Sequence, residues 1–244
     1  RVADLAQQIV NAPEEHVLAV TQFTSAGETD SYEILDDGSV LLRGSDPPEH
    51  DTYDITLQTD VTNIRGIKLE ALADDSLPGK GPGRGDPERT NFVLNTFAVA
   101  VRPTGESSSP VPVQFGEAKA SYSQPNWDVH GAVDSNPRSG WAIAPEFGRS
   151  HWAVFETNEP LGYEGGTEFA VSLEQNFGGA RSIGRVRVSA ITGEVGQAEI
   201  PAEVKKLVAK STEKWNAKER QQVLDYCVSV DREAKQLTAR MQRV

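Results

Sequence analysis

The feature that most restricts how this chain can fold is a succession of short β-rich runs from His16 onward, unbroken by a convincing helical period until residue 197. "HVLAVTQF", "SYEIL", "SVLLRG", "TYDITLQT", "RGIKLEAL", "NFVLNTFAVAV", "VQFGEAKASYS", "HWAVFET", "TEFAVSLEQ" and "GRVRVSAI" are rich in β-branched and aromatic residues. Many alternate apolar with polar side chains, and Gly, Pro, Asp and Asn separate them. Strands of this kind are apolar on one face only, so their sheets must cover each other. About ten of them with long loops predict a mostly β chain, an antiparallel jelly-roll β-sandwich, with a closed barrel as the main alternative.

Local signals fix parts of this plan. "ILDDGSVLL" sets Asp-Gly between apolar runs and predicts a hairpin with Asp36 and Asp37 in the turn. "RGIKLEAL" points Ile67, Leu69 and Ala71 or Leu72 inward. "ESSSPVP" at 106–112 reads as a loop within one sandwich, because a division there would leave two thin domains. Before the β region, "VADLAQQIV" spaces Val2, Leu5, Ile9 and Val10 as one face of a short N-terminal helix, giving an extension over 1–16. The sandwich then takes 17–196, and 197–244 return to a helical period. Pro201 opens a helix through Val204, Leu207 and Val208, and Asn216 with Glu219 forms a capping box for a second. The seam 223, 227, 230, 234, 237, 241 continues that helix, unless Asp231 caps a fresh one. Cys227, the sole cysteine, sits in this seam as a small core residue and rules out an internal disulfide.

The formal net charge of −12 argues against nucleic acid as a partner. No apolar stretch approaches the roughly 18–20 residues of a membrane-spanning helix. The first residue is Arg1 rather than Met, which reads as a segment of a longer protein.

One loop invites a ligand. "ADDSLPGKGPGRGDP", residues 73–87, lies between strand-like runs, so it is no phosphate loop: Lys80 is followed by Gly81, not Ser or Thr, and no helix follows. Asp74, Asp75 and Asp86 offer hard oxygens for a structural Ca²⁺, against the plainer reading as solvated turn residues. Lys80, Arg84 and Arg89 make the loop locally basic and suit an anionic polysaccharide, unless they pair with those same carboxylates.

A second cluster suits sugars, which are held by aromatic faces and planar hydrogen-bonding groups. "SYSQPNWDVHGAVDSNPRSGWAIAPEFGRSHW" gathers Tyr122, Asn126, Trp127, His130, Arg138 and Arg149 as candidate ligand-binding residues. Trp127, between Asn126 and Asp128, is the stacking candidate, whereas Trp141 and Trp152 begin strand-like runs and read as core. No catalytic motif occurs, and Glu146, Glu156, Glu164, Glu168 and Glu174 sit in no recognisable pair. A non-catalytic binder is therefore expected, with a glycan-active enzyme as an alternative.

The blocks "HDTYDITLQTDVTNIRGIKLEALADDSLPGKGPGRG", "NFVLNTFAV", "GWAIAPEFGRSHWAVFET", "GGTEFAVSLEQNFGGARSIGRVRVSA" and the tail "LDYCVSVDREAKQL" resemble the central β domain and following helices of large exported planctomycete proteins. Those proteins carry a cytochrome-c-like domain near the N-terminus and flanking domains of unknown function. The resemblance implies an extracytoplasmic setting and a galactose-binding-like sandwich read as a carbohydrate-binding module, with no haem in this segment. A structural or docking role between the haem and downstream domains is a further alternative, favoured by the apolar seam of the C-terminal helix, which invites a partner within the full protein or self-association with another copy, unless it packs on the sandwich. "AVDSNPRSGW" resembles the turn at one end of discoidin-like sandwiches, where Asp134 would cap a turn or hold a cation.

Overall fold

The structure is a computed structural model and describes residues 13–27, 32–44, 46–193, 202–208 and 214–230. Its β unit spans Glu14–Val195. In chain order the strands are β1 (Glu14–Val17), β2 (Ala19–Ser25), β3 (Tyr32–Ile34), β4 (Val40–Leu42), β5 (Asp51–Thr59), β6 (Ile64–Ala71) and β7 (Val93–Leu94). There follow β8 (Thr96–Pro103), β9 (Val111–Pro112), β10 (Phe115–Ala120), β11 (Trp141–Ala142), β12 (His151–Leu161), β13 (Thr167–Gln175) and β14 (Arg185–Thr192).

Two antiparallel sheets face each other, one in the order β10-β12-β6-β14-β4-β3 with β1 on β14, the other β2-β5-β13-β8-β9, while β7 and β11 form a small pair. Period-2 alternation builds the core between them. Along β13 the buried positions are Thr167, Phe169, Val171, Leu173 and Gln175. Tyr53, Ile55 and Leu57 of β5 and Phe97, Val99 and Val101 of β8 share one buried cluster with Ile67, Leu69 and Ala71 of β6, Phe155 of β12 and Val188 of β14. Phe97 stacks on Phe155 from the opposite sheet at 4.5 Å. The Asp-Gly hairpin forms as expected: Gly38 takes φ +77°, its N–H donates to the Leu35 carbonyl, and β3 pairs with β4.

The N-terminal boundary differs from expectation. Glu14–Val17 is a strand paired with Ser189–Thr192, not the end of a helix, because Glu15 and His16 find partners in Ser189 and Thr192 across that edge. Residues 1–12, where the helix was expected, lie outside the described residues. The C-terminal unit holds helices α1 (Ala202–Val208) and α2 (Ala217–Val230). Val204, Leu207, Trp215 and Val223 are buried, and the Trp215 indole N–H donates to the Leu207 carbonyl at 2.8 Å. The capping box forms in both directions, Glu219 N–H to Asn216 Oδ1 and Asn216 N–H to Glu219 Oε2. The Cys227 side chain and seam positions 234, 237 and 241 lie outside the described residues. No helix among the described residues is long and apolar enough to cross a membrane.

Register decides which loops meet. Gln175 lies opposite Asp51, Glu174 opposite Thr96, and Ala71 opposite both His151 and Val186. The β4–β5, β6–β7, β10–β12 and β13–β14 connections therefore all leave one end of the β unit. The glycine loop is thus brought to the same end as the aromatic segment.

At that end the glycine loop is sewn into the body. Gly83 N–H donates to the Thr90 carbonyl, Arg84 N–H to Ser182 and Gly184 N–H to Pro82. A Cβ on Gly83 would lie 2.1 Å from the Asn91 carbonyl oxygen, and one on Gly85 2.7 Å from that of Gly179, so only glycine lets these strands of chain approach. Arg84, expected at a ligand face, is instead 2% exposed between the sheets. Its Nη1 is 3.6 Å from Asp51 Oδ2 and donates to the Tyr53 hydroxyl at 3.4 Å. Asp51 also accepts from Ser25 Oγ and Gly27 N–H, and the Tyr53 hydroxyl donates to Ile183. Burial pushes the Tyr53 pKa up, which keeps that hydroxyl a donor. Removing one partner of a buried pair leaves the other charge uncompensated, so Arg84→Ala should cost about 3–5 kcal/mol. Lys80→Ala, on the exposed part of the same loop, should change stability by no more than about 0.5 kcal/mol. Urea unfolding measures both, and equal midpoints for the two variants would show that the guanidinium does not hold the loop.

Candidate functional site

Trp127 rides on a four-residue turn. Pro125 and Asn126 occupy its corner, Asn126 with φ +67°, and Trp127 N–H donates to the Gln124 carbonyl at 2.9 Å, the pattern of a type II turn. Gln124 is itself fixed, its side-chain carbonyl accepting from Asn91 Nδ2 and Ala144 N–H. The half-buried indole meets Phe177 edge to face, ring centres 5.1 Å apart at 82°. Phe177 is 45% exposed, and the Arg181 guanidinium carbon lies over its ring at 4.8 Å. Trp127, Phe177 and Arg181 thus form one aromatic-cationic rim.

Two supports hold the rim. Asn95, buried, donates through Nδ2 to the Ser139 carbonyl and accepts at Oδ1 from Asn176 N–H, joining the loop that carries Arg138 to the residue before Phe177. Within the Arg138 loop, Asp134 Oδ1 accepts from Asn136 N–H and Ser139 Oγ, the turn-capping one of the two roles open to it. The other support is the glycine loop, whose Gly85 sits against the Gly179 and Ala180 carbonyls behind the rim.

The remaining candidates fall elsewhere or serve the fold. Asn126 is exposed and shapes the turn. Tyr122 is turned against the core, its hydroxyl donating to the Ala144 carbonyl at 3.3 Å, and it does not join the rim. His130 receives Ala118 N–H at Nε2, which leaves Nδ1 to donate to Asp128 Oδ1 at 2.7 Å; this ties the loop to β10. Arg149 pairs with Glu146, and Lys80 with Asp75. Their loops adjoin through the bond from Gly148 N–H to the Gly81 carbonyl. Arg84 lies in the core as described.

The three aspartates proposed for Ca²⁺ are not brought together. Asp74 accepts from Ser76 and pairs with Arg185, Asp75 pairs with Lys80, and Asp86 accepts Glu88 N–H in a local turn. Among the described residues no three His, Cys, Asp or Glu side chains are grouped to hold a metal ion.

Asp74 belongs instead to a ladder of charges on the outer face of the larger sheet, running Asp74, Arg185, Asp37, Arg187, Glu70, Lys68, Glu15. The serine bonds of Ser76 and the charge of Arg185 hold the Asp74 carboxyl below the usual range against its partial burial. For Asp37, burial pushes upward, but bonds from Ser39 and the charges of Arg185 and Arg187 outweigh it. For Glu70, burial is likewise outweighed, by the bond from Arg187 and by Lys68.

Sequence reasoning missed Phe177 and Arg181. The signal was a lone aromatic between Asn176 and Gly178, outside any alternation. It also placed Trp152 in the core, yet Trp152 is 40% exposed on the sheet's outer face, because His151, Ala153 and Phe155 take the inner one. Trp141 is fully buried as expected, its indole N–H donating to the Tyr122 carbonyl.

No protein family, curated protein or solved structure matches the chain.

A carboxyl whose folded pKa lies below its unfolded one adds stability above the unfolded value and loses it as the pH falls through the folded one. Asp37, Glu70 and Asp74 should therefore make the β unit lose stability from about pH 4.5 downward. Arg187→Gln, which strips Glu70 of its main partner, should cost about 2 kcal/mol at neutral pH and flatten that acid decline. Urea unfolding across the range tests this; parallel curves for variant and wild type would refute the assignment.

Proposed function

We propose that the β unit is a non-catalytic carbohydrate-binding module, wound as a jelly roll of the galactose-binding-like kind, and that it holds a polysaccharide at the Trp127–Phe177–Arg181 rim. The observation that carries the reading is this rim: two aromatic rings and a guanidinium on loops at one end of the β unit, held by main-chain bonds. An aromatic ring offers a flat apolar surface to the C–H face of a pyranose, and a ring fixed before binding loses little entropy on contact. The strand orders β4-β14-β6-β12, within the seven-stranded sheet, and β5-β13-β8-β9, within the five-stranded one, support the jelly-roll winding, since these eight strands follow that pattern along the chain.

The carboxyls support the non-catalytic part of this reading. A glycosidase needs one carboxylic acid kept protonated near neutral pH beside an ionised one. Asp37, Glu70, Asp74 and Asp128 are held below the usual carboxylate range, each beside a cation or hydrogen-bond donor, and so are ionised rather than proton-bearing. The resemblance to exported multidomain proteins accords with an extracytoplasmic setting, where polysaccharide is available.

Affinity electrophoresis of the full chain through a panel of polysaccharides tests the reading. Wild type should be retarded by at least one. Trp127→Ala should weaken that retardation by about tenfold, near 1.4 kcal/mol, while Trp152→Ala, on the sheet face, should leave it unchanged. Identical migration of wild type and Trp127→Ala in every gel would overturn the proposal.

A further inference from the structure

Arg181 is set apart among the described arginines by the aromatic ring beneath it. Arg43, Arg102, Arg149, Arg185 and Arg187 each meet a carboxylate within 4 Å. Arg181 lies over Phe177 and, among the described residues, has no ion pair or side-chain hydrogen bond, in a chain with 36 acidic residues against 24 basic. A guanidinium that spends its face on an aromatic ring keeps its in-plane N–H donors for a planar anion.

The neighbouring main chain is shaped for the same purpose. Gly178, Gly179 and Ala180 have φ of +97°, +68° and +53°, which turns the chain sharply before Arg181. Gly179 N–H already holds a carboxylate, donating to Glu49 Oε1 at 2.8 Å. A Cβ built on Gly179 would lie 3.5 Å from Arg181 Nη1, and one on Gly178 would lie 2.9 Å from Glu49 Oε1. The Glu49 carboxylate and the Arg181 guanidinium therefore flank the same two glycines without pairing with each other. Glu49 is exposed and, among the described residues, is joined to the loop by this single hydrogen bond, so its departure costs little.

Resting on the glycan reading above, we propose that the rim selects an anionic pyranose, one bearing a carboxylate or a sulfate ester. The anionic group pairs with Arg181 and takes the Gly179 N–H from Glu49, which acts as a built-in competitor, while the sugar ring lies on the Trp127–Phe177 aromatic pair. Of the basic residues of the glycine loop, Arg84 is buried, Lys80 is paired with Asp75 and Arg89 is exposed, so Arg181 is the cation set on the aromatic rim itself.

The test is electrophoresis of the full chain at low ionic strength through a polyuronate, a sulfated galactan, and a neutral glucan and mannan. Wild type should be retarded by an anionic polymer and not by the neutral ones, with retardation fading in moderate salt. Arg181→Gln should lose about tenfold in affinity and Arg181→Lys less, since the ammonium cannot make the paired contact. Glu49→Ala should bind about fivefold tighter, and Lys80→Ala should bind as wild type does. Preference for polyuronate or for sulfated galactan identifies the anionic group, and either supports the proposal. Neutral polymers retarding wild type equally, or Arg181→Gln binding undiminished, would overturn it while leaving glycan binding in place. Unchanged binding by Glu49→Ala would overturn the competitor role. Failure of wild type in every gel would remove the glycan reading itself.

Discussion

The ion pair of Arg84 with Asp51, set between the sheets with Tyr53 beside it, ties together parts of the chain that are far apart in sequence. Asp51 starts β5, Tyr53 reaches the Ile183 carbonyl, and the Arg84 backbone bonds to Ser182. One guanidinium thereby joins the glycine loop, a central strand and the loop that ends in β14. A buried ion pair is weak evidence for net stability, because desolvation offsets most of its Coulombic gain. What it does well is punish alternatives: any arrangement that withdraws Arg84 leaves Asp51 buried with, among the described residues, Ser25 and Gly27 as its donors. The position of the 177–184 segment, and with it the rim, follows from that constraint.

Much of the β architecture was legible because alternation is a direct physical consequence of one-sided burial. Ile67, Leu69 and Ala71 point inward as their spacing required, and the Asp-Gly turn closes the β3–β4 hairpin. The failures have equally physical sources. "SHWAVFET" alternates two plausible faces, and only the partner strand β6 decides that Phe155 goes in and Trp152 out. Arg84 looked like a surface charge because its glycine neighbours suggest an open loop, whereas they permit close packing against Asn91 and Gly179. The carboxylates of 74–86 looked like one cation site by proximity in sequence, but Arg185, from a strand more than a hundred residues later, takes Asp74. Long-range pairing of that kind has no local signature.

The rim itself was half legible. Trp127 was marked by its polar and proline neighbours, and the structure keeps it on a fixed turn within reach of the surface. Phe177 and Arg181 come from a loop fifty residues away, and only the register of β13 against β5 and β8 brings that loop to the same end of the β unit. Asn95 then links the Arg138 loop to Asn176, so the spacing of the aromatic pair is set by hydrogen bonds to main chain rather than by the rings alone.

That mode of construction bears on what the rim is suited to do. A catalytic cleft places titratable groups in opposed environments so that one holds a proton and the other does not. Here the carboxylates near the rim are spent on holding backbone: Glu49 on Gly179, Asp128 on His130, Asp134 on Asn136 and Ser139. Of these, Asp128 is a stiffening bond within its own loop and Asp134 likewise, and breaking either would loosen the turn it caps. Glu49 alone reaches across to another loop, is exposed, and sits beside an arginine without a carboxylate partner among the described residues. On the proposed reading Glu49 is the replaceable anion of the rim, and an arrangement of that kind would serve recognition of charge rather than transformation of the bound molecule.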